Sequence, residues 1–163
     1  MLFIIFCVLL AGCGVDVSPK VRQEFSKIEV ASIPEKIGWQ MKDYLSYRLK
    51  PSCPTYRLEI TLEQKDYTLK MGRDARSVMV HFVTIAKYTL KNILTQKIMT
   101  SGKCSTHNAR LLTPSFYSQT VADRKIKEDN ALRLADFIIR DLEHFFLSPS
   151  WAIQNMPKTT ALG

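Results

Sequence analysis

The sequence predicts an α+β fold, a two-layer sandwich with two amphipathic helices packed on a mostly antiparallel four-stranded sheet, and three observations carry this. Tyr56 to Tyr67 alternates apolar and polar side chains almost without a break, the period of a half-buried strand. Two further extended stretches follow it at short, turn-forming intervals. Two other segments, Glu35 to Leu49 and Gln119 to Phe146, repeat apolar residues at helical spacing. A sheet with one apolar face and two helices with one apolar stripe each can bury one another only as stacked layers.

The predicted elements run β-α-β-β-β-α. Residues 25–33 carry Ile28 and Val30 on one side and Lys27 and Glu29 on the other, as a strand does. Ser32-Ile33-Pro34-Glu35 then resembles a helix start, with proline where its missing N–H costs nothing. Ile37, Met41, Tyr44, Leu45, Arg48 and Leu49 recur at helical spacing in that helix, which Pro51 to Pro54 terminates. The strand from Tyr56 places Leu58, Ile60 and Leu62 inward. Residues 70–74 make the turn into a strand over 77–91, whose two faces are both apolar: Val78, Val80, Phe82, Tyr88 and Leu90 against Met79, Val83 and Ile85. Asn92 to Thr95 reverses the chain into a more polar strand over 96–106, and 107–118 reads as loop. These turns place Tyr56 near Tyr88 and Tyr88 near Met99. The last helix carries Ala122, Ile126, Ala131, Ala135, Ile138, Leu142, Phe145 and Phe146 in one stripe, with Asp129/Arg133 and Asp136/Arg140 as ion pairs on its wet side.

The N-terminus has a different character. Met1 to Leu10 is uncharged and apolar and ends in Leu10-Ala11-Gly12-Cys13. An apolar core followed by small residues is how an export signal is built, and a membrane span needs about 20 apolar residues, more than this run supplies before Asp16. The small pair before Cys13 resembles the bacterial lipobox, in which the thiol is alkylated by diacylglycerol. The organisation expected is therefore a signal peptide over 1–12, a lipidated tether over 13–24, one domain over 25–147 and a loose tail over 148–163. The covalent diacylglycerol and N-acyl chain on Cys13 stand in place of any cofactor, and more than one acyl chain gives stable anchoring.

The formal charge is +8, from 23 Lys and Arg against 15 Asp and Glu. Outside the cytoplasm such a balance points to phosphorylated lipids and lipopolysaccharide rather than nucleic acid. Lys70, Arg73 and Arg76 set three cations on one hairpin tip, and arginine's planar fork suits phosphate oxygens. These three are the expected lipopolysaccharide-binding residues. Of the four cysteines, Cys53 and Cys104 alone lie beyond the lipobox, and the strand layout separates them by far more than the ~7 Å that a disulfide bridges. His81, His107 and His144 show no ligand spacing, and no Gly-x-Ser-x-Gly, Ser-x-x-Lys or His-Glu-x-x-His context occurs. No metal site and no enzymatic activity are expected.

Residues 116–124, Phe-Tyr-Ser-Gln-Thr-Val-Ala-Asp-Arg, running into Ala131-Leu132-Arg133-Leu134-Ala135-Asp136-Phe137-Ile138, resemble the last helix of the LptE-type lipopolysaccharide-assembly lipoproteins. Tyr56-Arg57-Leu58-Glu59-Ile60 is similar to that family's second strand. The resemblance implies a non-enzymatic subunit of the outer-membrane lipopolysaccharide translocon. Such a subunit is lipid-anchored in the outer membrane, facing the periplasm or seated in a barrel lumen. It plugs an LptD-like β-barrel, helps that barrel assemble and binds lipopolysaccharide on its way to the outer leaflet. The residues leave two other classes open, a lipid-tethered periplasmic regulator of a cell-wall synthase and a hydrolytic lipoprotein.

Overall fold

The computed structural model describes residues 18–71, 77–112, 114–149 and 151. Its elements are α1 (Pro19–Phe25), β1 (Ile28–Val30), α2 (Lys36–Leu49), β2 (Tyr56–Met71), β3 (Ser77–Asn92), β4 (Ile98–Leu111) and α3 (Phe116–Leu147). One four-stranded sheet has the order β1-β2-β3-β4. Both long helices lie on one side of it, the two-layer α+β sandwich that the patterning predicts.

Part of the stretch read as tether is helical. Pro19 opens α1 where no N–H is needed, and Val21 and Phe25, one turn apart, are both buried. Seven residues are too few for periodicity to reveal a helix. The strand expected over 25–33 shrinks correspondingly to three residues, because Phe25 belongs to α1 and Ile33 is buried outside the sheet. β1 pairs in parallel with β2, Ile28 opposite Tyr56 and Val30 opposite Leu58. A parallel pair needs a crossover, and α2 is that crossover.

Packed against α3 and β1, α2 buries Gly38, Met41, Leu45 and Leu49. It ends at Lys50, which adopts the left-handed conformation (φ 50°) and donates its N–H to the Ser46 carbonyl.

The hairpin strands are longer than expected. β2 continues through Met71 and β4 through Leu111, so Lys70 lies in a strand and 107–111 is strand, not loop. Because the tip turn lies farther out, Tyr56 faces Asn92 and Ile60 faces Tyr88, while Tyr88 faces Gly102. The expected pairings of Tyr56 with Tyr88 and of Tyr88 with Met99 are thus displaced by several residues. Beyond Leu62 the apolar positions of β2 pass to the other face, at Tyr67 and Leu69, so the alternation read from Leu58, Ile60 and Leu62 does not continue to the tip. At the other turn, the Asn92 side chain accepts from the N–H groups of Leu94 and Thr95, and a bulge interrupts pairing at Leu90/Lys91.

On β3 the even positions Phe82, Thr84, Ala86, Tyr88 and Leu90 are buried beneath the helices. The odd positions Met79, His81, Val83 and Ile85 form the other face, which no helix among the described residues covers. Strand β3 is therefore central in the sheet, and the described helices lie on one side of it.

The helix α3 runs the length of the sheet, about 48 Å at the standard rise. It buries Asn130, Ala131, Leu134, Ala135, Ile138, Ile139, Leu142 and Phe146. The expected intrahelical ion pairs are replaced. Asp129 pairs with Lys125 at 2.8 Å, and Asp136 accepts from Tyr44 Oη at 2.7 Å and from Arg48 at 3.4 Å, joining α3 to α2. At the end of the sheet bearing Tyr56, Phe25, Phe146 and Trp151 form an aromatic cluster with it, ring centroids 4.9–6.3 Å apart in its contacts. Cys53 and Cys104 are both free thiols.

A candidate amphiphile-binding end of the sheet

The far end of the β2–β3 hairpin is built from register. On the uncovered face, Leu69, Met79 and Leu111 form one cross-strand row, and Tyr67, His81 and Ala109 the next. The Tyr67 and His81 rings stack with centroids 5.1 Å apart and an interplanar angle of 3°, a direct cross-strand contact. Leu69 and Leu111 are about half exposed. On the helix side of the same end, Phe116, Tyr117 and Val121 open α3, and Phe116 is 82% exposed and Tyr117 78%. Ser115 caps this helix, its Oγ accepting from the Ser118 N–H at 3.4 Å. Apolar surface in contiguous rows, as opposed to scattered single side chains, marks a contact surface.

The α3 N-terminal half is fixed over the hairpin by charge. Arg110 on β4 pairs with Asp123, and Lys127 pairs with Asp66 on β2 at 2.8 Å. Both cations also lie within 6 Å of the Phe82 ring, Arg110 at 5.9 Å and Lys127 at 5.8 Å. These contacts hold α3 against β2 and β4, so the exposed aromatics beyond them have a defined position.

Lys70, next to Leu69 in β2 but on the opposite face, lies opposite Val78 and is exposed. On the uncovered face Lys65 and His107 flank Val83 in one row, and Lys87 and Lys103 face each other directly farther along, in the row of Thr61. Like charges directly opposite repel. Glu63, on the same face, relieves them: it bonds Lys65 at 2.9 Å, and this bond and charge, followed by Lys87 and Lys103, hold its carboxyl below the ordinary range.

Of the expected site residues, Lys70 is placed at this end, in a strand and not in the turn. Arg73 and Arg76 of the cationic tip, Cys13 of the lipobox and the tail from 152 onward lie outside the described residues. Sequence reasoning missed the stacked Tyr67–His81 row and the Lys87–Lys103 pair, because both depend on a register that the strand lengths alone did not supply. Phe116 and Tyr117 fall in the stretch that reads as loop; the structure places both in the first turn of α3, which starts at Phe116 and not at Gln119. Among the described residues no group of three His, Cys, Asp or Glu could hold a metal ion, and no helix is long and apolar enough to cross a membrane. An end that sets half-exposed apolar rows beside cations suits non-covalent contact with an anionic amphiphile.

No family model and no curated relative matches the chain. Solved structures do. A protein assigned as a lipoprotein from Caulobacter crescentus superposes with a TM-score of 0.62 at 18% identity, covering 77% of this chain and 95% of that one. Rare lipoprotein B from Shewanella oneidensis gives 0.55 at 10% identity over 78% of this chain and 96% of that one. A minor lipoprotein from Acinetobacter baumannii gives 0.53 at 13% identity over 72% and 91%. At these identities the likeness is one of fold: nearly the whole of each lipoprotein domain has the architecture of this chain.

Proposed function

We propose that the chain is an outer-membrane lipoprotein, anchored through acylated Cys13, that acts as a non-enzymatic subunit of the lipopolysaccharide translocon. In this reading it plugs an LptD-like β-barrel, assists the barrel's assembly and binds lipopolysaccharide on its way to the outer leaflet. The observation that carries the proposal is the separation of the two ends. The chain enters through α1 and β1 at Tyr56, whereas Lys70 and the apolar rows sit at the opposite end of a 16-residue strand, about 50 Å away at the usual rise. A hydrocarbon core is about 30 Å thick. A domain moored at one end and seated in a barrel therefore has the reach to present its cations and aromatic surface near the far leaflet.

The uncovered sheet face supports the same reading, because its Leu69, Met79 and Leu111 row would meet a barrel wall or acyl chains, and its lysines would meet phosphates. No covalent step is required. Co-purification from detergent extracts tests the proposal. Recovery of a large outer-membrane β-barrel with the acylated chain is expected. Recovery of a peptidoglycan synthase in its place would overturn the proposal in favour of a cell-wall regulator. Separately, the triple variant Lys70→Glu, Arg73→Glu, Arg76→Glu is expected to bind lipopolysaccharide at least ~tenfold more weakly, with an unchanged unfolding midpoint.

A further inference from the structure

Strand β2 leaves most of one edge open. β1 pairs with it from Tyr56 to Leu58 only, and β2 runs on to Met71. Two bonds fix which groups face that edge: the Tyr56 N–H donates to the Lys27 carbonyl at 3.0 Å, and the Ala31 N–H donates to the Leu58 carbonyl at 2.9 Å. Even-numbered residues of β2 therefore aim N–H and C=O at the edge, and odd-numbered ones bond to β3. From Ile60 to Lys70 the even positions have no strand beside them among the described residues. A long open edge is a template for another strand, and the side chains of its outer half select one. Tyr67 and Leu69, both about half exposed, lie on the uncovered face, and Asp66, Thr68 and Lys70 lie on the other.

We propose that the occupant is a second copy of this chain, joined edge to edge and antiparallel about a two-fold axis at Thr68. In that register Thr68 faces its own equivalent, Tyr67 faces Leu69 of the second copy, and Asp66 faces Lys70 of the second copy. Apolar meets apolar, and unlike charges oppose. Lys127 holds Asp66 through Oδ2, which leaves Oδ1 to accept from Lys70. Each facing pair of even residues adds two backbone bonds. Registers centred nearer the core oppose Lys65 to a glutamate, but they set Asp66 against Leu58 or Leu62 and run into the stretch that β1 occupies. Nothing described blocks the axis: α3 packs over β3 and β4, and β1 ends at Leu58, about 33 Å from Thr68 at the usual rise. The second copy also contributes to the apolar surface. Leu111, Met79 and Leu69 of one copy continue into Tyr67, His81 and Ala109 of the other, so two short rows become one strip across both sheets. That last consequence rests on the amphiphile reading given above, whereas the pairing stands apart from it.

Cross-linking of the full chain in neutral detergent, with Cys53→Ser removing the exposed thiol, tests the register. Facing residues of a hydrogen-bonded pair stand about 5.5 Å apart at Cα, within disulfide reach. Thr68→Cys is expected to give a disulfide-linked dimer on mild oxidation, where the Cys53→Ser parent gives none. Asp66→Cys or Lys70→Cys alone is expected to stay unlinked, and an equal mixture of the two is expected to link. Thr68→Pro removes one outward N–H without touching the β2–β3 ladder, and is expected to weaken dimerisation at least ~tenfold in sedimentation equilibrium. The cysteine series decides the register even if the proline variant fails to fold. A monomer at every concentration, or linkage through Asp66→Cys alone as readily as through Thr68→Cys, would overturn the inference. Linkage of Thr68→Cys to a different protein in the extract would also overturn it and assign the edge to a strand of that partner. Barrel recovery is read in a separate assay, so failure of the pairing is distinguishable from failure of the translocon reading.

Discussion

Gly102 owes its identity to Tyr88. The two are cross-strand partners, and a Cβ built on Gly102 would come 2.5 Å from the Tyr88 hydroxyl oxygen. The ring cannot swing aside, because Tyr88 is only 5% exposed and its hydroxyl donates to Asp141 at 3.1 Å. Gly102→Ala is therefore expected to destabilise the protein by about 1–3 kcal/mol, measured as a lower urea midpoint at unchanged slope. The same neighbourhood titrates. Burial, then the Asp141 charge, pushes the Cys104 thiol from 9.0 up to about 11, and burial with the same carboxylate raises Tyr88 as well. Both acids are held neutral in the fold. Their contribution is thus complete below the unfolded values and is lost as pH rises. For the thiol that window is pH 9 to 11. Unfolding midpoints are expected to fall across it, and Cys104→Ala is expected to flatten the fall. At mildly alkaline pH, exposed Cys53 is expected to react with iodoacetamide well before Cys104, as peptide mass mapping would show.

At the scale of elements, one polar residue sets how α3 lies on the sheet. Asn130 is fully buried within the apolar stripe, accepts from Asn108 Nδ2 at 2.6 Å and donates to Thr84 Oγ1 at 3.4 Å. Asn130→Ala leaves Asn108 and Thr84 without that partner and is expected to cost about 1–3 kcal/mol in a denaturant titration. The stripe itself was readable, since Ala131, Ala135, Ile138, Leu142 and Phe146 recur at helical spacing. The role of Asn130 was not, because its partners are 22 and 46 residues away. The same division holds for the sheet. Alternation at Leu58, Ile60 and Leu62 announces β2, but β1 pairs through only three residues and α1 has only seven, too short for any period to show. The candidate site was legible as charge at Lys70 and hidden as register at Tyr67 and His81. The hairpin also has a gradient along its length. Amides of residues 56–62 and 86–92 lie over the core, and those of 65–70 and 78–81 lie beyond it. The outer set is expected to exchange hydrogen markedly faster, as native-state exchange would show.

For the whole molecule, a net charge of +8 makes association with phosphorylated partners dependent on ionic strength. Exposed cations such as Lys70, Lys87 and Lys103 are screened over about 10 Å at 0.1 M salt. Lipopolysaccharide binding is accordingly expected to weaken steadily as salt is raised, whereas the unfolding midpoint should change little, because the core of both layers is apolar. The parallel seam between β1 and β2 has a different consequence, one of timing. Strands β2, β3 and β4 are joined by short reversals and can zip together from neighbouring residues, but β1 has no edge to join until β2 exists and α2 has folded across. The first segment of the domain to be made is thus among the last to lock.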